Sequence, residues 1–137
     1  MLIQPYLFFG GRCEEAIEFY RAAVGAQVEM MLRFKDSPQP APPGVVADNF
    51  ADKIMHSSFR IGETTVMASD GCNETAAKFE GITLSLQVQN SAEAERVFNA
   101  LSEGGQVQSP LGKTFFAESF GMLTDRFGVP WIVVTAS

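Results

Sequence analysis

The chain contains a single histidine, His56. Imidazole is the side chain that takes up and releases a proton near neutral pH, so His56 is a candidate general base or a hydrogen-bond partner for a ligand. If Met55–Ile61 alternates as a strand, His56, Ser58 and Arg60 share one face. Arg60 then offers a planar fork of donors to an anion, or it simply ends the strand in water. Asp70 has two readings: it orients His56 or binds a cation, or it caps the turn that follows, which Asp does routinely. Glu118 stands in an aromatic stretch, and if it faces a binding hollow it is a second candidate base. Tyr6, Phe8, Phe116, Phe120 and Trp131 are rings that could stack on a planar ligand or serve as ordinary core.

Several chemistries are disfavoured by what is missing. A site of two histidines and one carboxylate cannot be built within a chain that has one imidazole. Cys13, His56, Cys72 and Asp70 have the right donor types for zinc, but their spacings match no zinc motif. No metal or other cofactor is therefore expected. No Ser-His-Asp or Cys-His arrangement emerges. Cys13 sits near a helix start, which can lower a thiol pKa, but it is placed over the outer face of a sheet. Two cysteines so far apart read as free thiols. The net charge of −6 disfavours a nucleic-acid groove, which needs clustered Lys and Arg. No apolar run approaches the ~20 residues of a membrane span, and no amino-terminal signal pattern is present, so a cytoplasmic location is the default expectation.

The elements that must position these residues follow from periodicity. Leu2–Phe9 reads as a strand broken by Gly10-Gly11. Cys13–Val24 reads as a helix with Ala16, Ile17, Tyr20, Ala23 and Val24 on one face, ended by Gly25. Gln27–Phe34 resumes as a strand. Residues 35–52 hold four of the seven prolines and read as a long loop. Ile54–Ile61 and Thr64–Asp70 make a hairpin about Gly62-Glu63. In Ile82–Gln89, Ile82, Leu84, Leu86 and Val88 alternate with Thr83, Ser85, Gln87 and Gln89. A helix capped at Asn90 buries Ala94, Val97, Phe98 and Leu101. Gln106–Ser109 is a short strand. Thr114–Val134 closes the chain as a hairpin whose turn has Asp125 first and Gly128 last.

These elements repeat. Glu14 and Glu93, Phe19 and Phe98, Gly25 and Gly104, Gln27 and Gln106, and Val28 and Val107 are each 79 residues apart, while the hairpin glycines Gly62 and Gly128 are 66 apart. The difference of 13 matches an insertion in the proline-rich loop. The chain is thus expected to be one α+β domain of two βαβββ modules, residues 1–75 with loop 35–52 and residues 76–137. The two sheets are expected to curl into a mostly antiparallel cup, with helices outside and Thr83, Ser85 and Gln87 lining the hollow.

Paired βαβββ modules resemble the vicinal oxygen chelate superfamily of glyoxalase I, extradiol dioxygenases and bleomycin-resistance proteins. Pro5-Tyr6-Leu7-Phe8-Phe9, Glu15-Ala16-Ile17-Glu18-Phe19-Tyr20, Val24-Gly25-Ala26, His56 to Gly62, Val66 to Asp70 and above all Phe120 to Trp131 are similar to its PhnB-like branch. The resemblance implies that His56 looks into the cup. It places the metal-ligand positions of metal-dependent members at Gln4 (or Pro5), Ala68, Thr83 and Ile132, none a good ligand for a divalent transition metal. Some relatives carry a demethylubiquinone methyltransferase label, but no glycine-rich turn followed by a ribose-binding acid supports it here. What the resemblance implies is a small-molecule-binding protein without a catalytic metal. Tyr6, Phe8, Arg60, Asp70, Thr83, Phe116 and Trp131 would contact the ligand. The alternatives are a metal-independent lyase or isomerase using His56 or Glu118, and a drug-sequestering resistance protein. A homodimer is expected, with loop 35–52 closing the cup or crossing to the partner.

Overall fold

The computed structural model describes residues 1–136. It divides into two units, Met1–Ala77 and Lys78 onward. Each is a four-stranded mixed sheet with one helix, so the fold is α+β.

In the first unit, β1 (Tyr6–Phe8) leads into α1 (Cys13–Val24), then β2 (Gln27–Arg33), β3 (Ile54–Ile61) and β4 (Thr64–Ser69). The sheet order is β1-β4-β3-β2, with β1 parallel to β4 and the other pairs antiparallel. The helix forms where the 3.6-residue period predicts, burying Cys13, Ala16, Ile17, Tyr20 and Ala23. Gly25 closes it at φ +70°, a left-handed conformation that glycine adopts without a Cβ penalty. Under the helix lie Phe59, Val66 and Ala68, all buried. Each large side chain so buried contributes on the order of 1.5–3 kcal/mol.

The second unit repeats the order: β5 (Leu84–Val88), α2 (Ser91–Ser102), β6 (Gln106–Gly112), β7 (Phe120–Thr124) and β8 (Pro130–Thr135), arranged β5-β8-β7-β6 with β5 parallel to β8. Asn90 caps α2, its side-chain oxygen accepting the Glu93 N–H at 2.9 Å. The Glu93 carboxylate accepts in turn from the Gln89 N–H. Helix α2 buries Ala94, Val97, Phe98 and Leu101, as their spacing requires.

Four boundaries differ from the sequence reading. β1 is confined to Tyr6–Phe8, and Met1, Leu2 and Ile3 are exposed, because only Pro5 onward finds a hydrogen-bonding neighbour in β4. β5 starts at Leu84, leaving Ile82 exposed. β6 runs on to Gly112, with shifts in register around Ser109. The first arm of the closing hairpin begins only at Phe120. Thr114–Ser119 is a loop instead, in which the Thr114 hydroxyl accepts from the N–H groups of Phe116 and Ala117. The turn itself is as expected: the Gly128 N–H donates to the Asp125 carbonyl at 3.0 Å.

The proline-rich segment has no strand. It holds two short 3-10 turns, Phe34–Asp36 and Asp48–Phe50. Phe50 anchors it by full burial, and the Ala47 N–H donates to the Cys72 carbonyl at 2.8 Å.

Candidate functional site

Strand alternation divides β3 into two sets. Ser57 and Phe59 are buried toward α1, while His56, Ser58 and Arg60 lie on the opposite, open face. Register then builds that face across the sheet. Met30, Ser58, Met67 and Tyr6 form one row, Leu32 stands opposite His56, and Phe8 pairs with Ser69. Tyr6 and Phe8, two apart on β1, stack with ring centroids 5.0 Å apart and planes at 26°. They remain 39% and 55% exposed, so this aromatic surface is uncovered.

The Tyr6 hydroxyl lies 2.9 Å from Nδ1 of His56, and the two rings are 5.6 Å apart. The phenol pKa is raised, first by burial and then by the nearby Cys13, against an opposing hydrogen bond from Ser69. Tyr6 therefore keeps its proton and has a donor to give. Arg60 shares the open face four residues along the strand, about 13 Å from His56 at the usual rise per residue. Its Nη2 donates to Gln27 Oε1 at 2.9 Å. His56, Tyr6 and Phe8 are thus brought together, and Arg60 stands apart from them.

Asp70 takes no part in this surface. It is buried, and its Oδ1 accepts from the N–H groups of Gly11 (2.9 Å) and Cys13 (2.8 Å) while Oδ2 accepts from Ile54 (2.8 Å). The expectation that it contacts a ligand is corrected: the carboxylate is spent on the start of α1, which Arg12 leaves without a side-chain cap, and on the start of β3. The structural alternative is corrected in part as well, since Asp70 caps a helix 57 residues earlier in the chain, not the turn after it. The Gly11 N–H is accordingly already taken up by Asp70. Cys13 departs from the helix-start expectation too. Its thiol is pushed up to about 12, because burial outweighs the Ser57 hydrogen bond that favours the thiolate, and Asp70 and Glu14 add to the rise.

In the second unit, Ser85 and Gln87 are exposed on the side of β5 opposite Leu84, Leu86 and Val88. Thr83 precedes the strand and is exposed. On the same face, Ser85 pairs with Ile132 and Ile132 with Met122, while Val134 pairs with Phe120. Phe116 meets Phe120 edge-on at 5.3 Å and Phe115 at 5.1 Å, and Phe115 is fully exposed at the loop tip. Glu118 is exposed on that loop and does not lie on a strand. Trp131 is a second correction. It lies on the helix-facing side, 3% exposed, and its Nε1 donates to Asp125 Oδ2 at 2.9 Å. Its ring is core. Asp125 is a residue whose wider role the sequence reading missed: its Oδ1 also accepts from Phe127 and Val129, so one carboxylate organises the turn. An Asp opening a turn signalled the turn, but not the bond to Trp131.

The metal positions implied by the resemblance do not form a chelating set. Ala68 is buried toward α1, and its open-face neighbours on β4 are Met67 and Ser69. An amide, a thioether or hydroxyl, a second hydroxyl and a hydrocarbon (Gln4, Met67 or Ser69, Thr83, Ile132) are poor donors for a divalent transition metal. Among the described residues no group of three or more His, Cys, Asp and Glu could hold one.

Two βαβββ units of this kind are shared with solved members of the glyoxalase/bleomycin resistance/dioxygenase superfamily, at a level of identity that shows the fold alone. Within that class, the chain belongs to the PhnB-like family whose model is described as 3-demethylubiquinone-9 3-methyltransferase and matches residues 2–134. It is 35% identical to Protein YjdN of Escherichia coli K12 over 97% of this chain and 94% of that one. It is 48% identical to protein PA1353 of Pseudomonas aeruginosa, with a TM-score of 0.84, over 98% and 97% of the two chains. A Bacillus cereus structure described as a putative 3-demethylubiquinone-9 3-methyltransferase, PhnB protein, matches at 25% identity and a TM-score of 0.81, covering 99% and 100%. No helix among the described residues is long and apolar enough to cross a membrane.

Proposed function

We propose that this protein binds a small organic molecule on the open faces of its sheets and does so without a resident divalent metal. The observation that carries the reading is the surface of Tyr6, Phe8 and His56. Two stacked rings stand uncovered beside the chain's one imidazole. Uncovered aromatic surface of this kind is costly in water unless something covers it part of the time. Thr83 and Phe116 are the second unit's proposed contributions, and Arg60 the contact for an anionic group at the far end of β3. The same open faces support a homodimer, and a cytoplasmic setting fits the two free cysteines.

Screening a library of small aromatic acids, amines and neutral compounds by protein-observed NMR tests the reading. Binding is expected to perturb Tyr6, Phe8 and His56 first, and saturable binding elsewhere with no response there would overturn it. Light scattering is expected to give twice the chain mass, and a monomer at all concentrations would reject the dimer. The enzyme alternative is favoured only by the position of His56. It requires that His56→Ala abolish any turnover found, whereas unchanged turnover would remove His56 as its base.

A further inference from the structure

We propose that Tyr6 is a positioning residue that holds His56 as the Nε2–H tautomer, so that the open face of the first sheet offers a hydrogen-bond donor beside a ring platform. Its ligand would be a flat molecule carrying an oxygen acceptor, such as an aryl carboxylate, phenolate or aryl ketone. The ligand class rests on reading this face as a binding surface, whereas the tautomer assignment does not.

Three observations converge on this. First, the Tyr6 hydroxyl and His56 Nδ1 are at hydrogen-bond distance, 2.9 Å. A neutral imidazole has one donor and one acceptor nitrogen, so Nδ1 accepting from Tyr6 leaves the hydrogen on Nε2. Second, Tyr6 is a phenol at neutral pH, since its ordinary pKa of 10.0 is here raised further, first by burial. Third, the two rows that hold Tyr6 and His56 carry no carboxylate. Tyr6, Phe8, Met30, Leu32, Ser58 and Met67 include no carboxylate, and charge of both signs enters this face toward its far end, where Arg60 stands and the Thr65 hydroxyl donates to the Glu29 carboxylate at 3.5 Å. A platform with one fixed N–H donor and no carboxylate in its own rows selects an acceptor-bearing ring.

Because the chain has one histidine, its imidazole nitrogens give unambiguous signals. Long-range proton–nitrogen NMR should be recorded over a pH series and read where the imidazole signals no longer change as the pH is raised. The wild type is expected to show one tautomer, protonated at Nε2. Tyr6→Phe is expected to show a mixture of both, since a free neutral imidazole samples both. An Nδ1–H signal in the wild type, or an identical tautomer pattern in Tyr6→Phe, overturns the assignment. Gln27→Ala, at the opposite end of the sheet, serves as a folded control whose pattern should match the wild type.

The ligand class is then tested with benzoate and benzylamine, equal in ring and opposite in polar group. Benzoate is expected to bind about tenfold more tightly, the worth of one hydrogen bond to a charged group, and to lose that advantage in His56→Ala. Preference for benzylamine would overturn the ligand class. Failure of both to bind while the tautomer is as expected would overturn the binding surface and leave the tautomer assignment standing.

Discussion

The Thr135 hydroxyl accepts the backbone N–H of Ser119 at 3.0 Å, across a spacing of 16 residues. Asp70 accepts the N–H of Ile54 at 2.8 Å across the same spacing, and in both units the latch ties the end of the last strand to the start of the strand it pairs with. The two copies have kept the geometry and changed the group. In the first unit the carboxylate also reaches the start of α1, and in the second the Ser119 hydroxyl does so through Ser91 at 2.9 Å.

The Asp70 latch should therefore be worth more than the Thr135 latch. Asp70→Ala leaves three backbone N–H groups, two of them in buried settings, without their acceptor and is expected to cost about 3 kcal/mol or more, against about 1 kcal/mol for Thr135→Ala. Urea unfolding midpoints measure both. Equal losses would mean that the helix start finds another acceptor.

The two cysteines should differ in reactivity. Cys13 is buried, with its thiol pushed up to about 12, while Cys72 is exposed. Iodoacetamide at pH 8 is expected to add one group per native chain, at Cys72, and two after denaturation. Mass spectrometry locates the adducts, and labelling of Cys13 in the native protein would show that α1 opens readily.

Acid should weaken the tie between α1 and β2. Arg33 donates to both oxygens of Glu14 at 3.0 and 2.7 Å, and this hydrogen bond is the main cause holding the Glu14 pKa below its ordinary value of 4.5. A depressed carboxylate pKa stabilises the fold above the unfolded-state value and ceases to do so as pH falls through the folded-state value. Arg33→Gln is accordingly expected to lower stability at pH 7 and to narrow its gap to the wild type below about pH 4.5. Thermal unfolding at pH 7 and pH 3 would show the narrowing, and a constant gap would assign the loss to the Arg33 bond with the Asp52 carbonyl instead.

Gly10 should tolerate no side chain. It has φ +60°, and a Cβ there collides with the backbone carbonyl oxygen of Thr75. Gly62 has a similar φ of +58° and open space around it. Gly62→Ala is expected to cost about 1 kcal/mol, the penalty of the left-handed conformation alone. Gly10→Ala should cost clearly more, because backbone must also move. Comparable unfolding midpoints for the two would show that residues 71–77 give way freely.

The sequence by itself determined the helices, the hairpin turns and the duplication. These are local matters: a 3.6-residue stripe such as Ala94, Val97, Phe98 and Leu101, a glycine at a left-handed position, a proline that forbids a strand. It also placed His56, Ser58 and Arg60 on one face, since alternation is built into an extended chain. Only the tertiary structure decided where shared partners put each side chain. Trp131 faces α2, not the open side, because its register with Leu84 and Leu123 gives it that side and Asp125 holds its Nε1. Asp70 caps a helix 57 residues away, and Tyr6 meets His56 across 50 residues through β4 lying between their strands. Periodicity is a property of neighbours along the chain. Which nitrogen, ring or carboxylate lies across the sheet depends on strand order and register, and those are settled only when the whole unit folds.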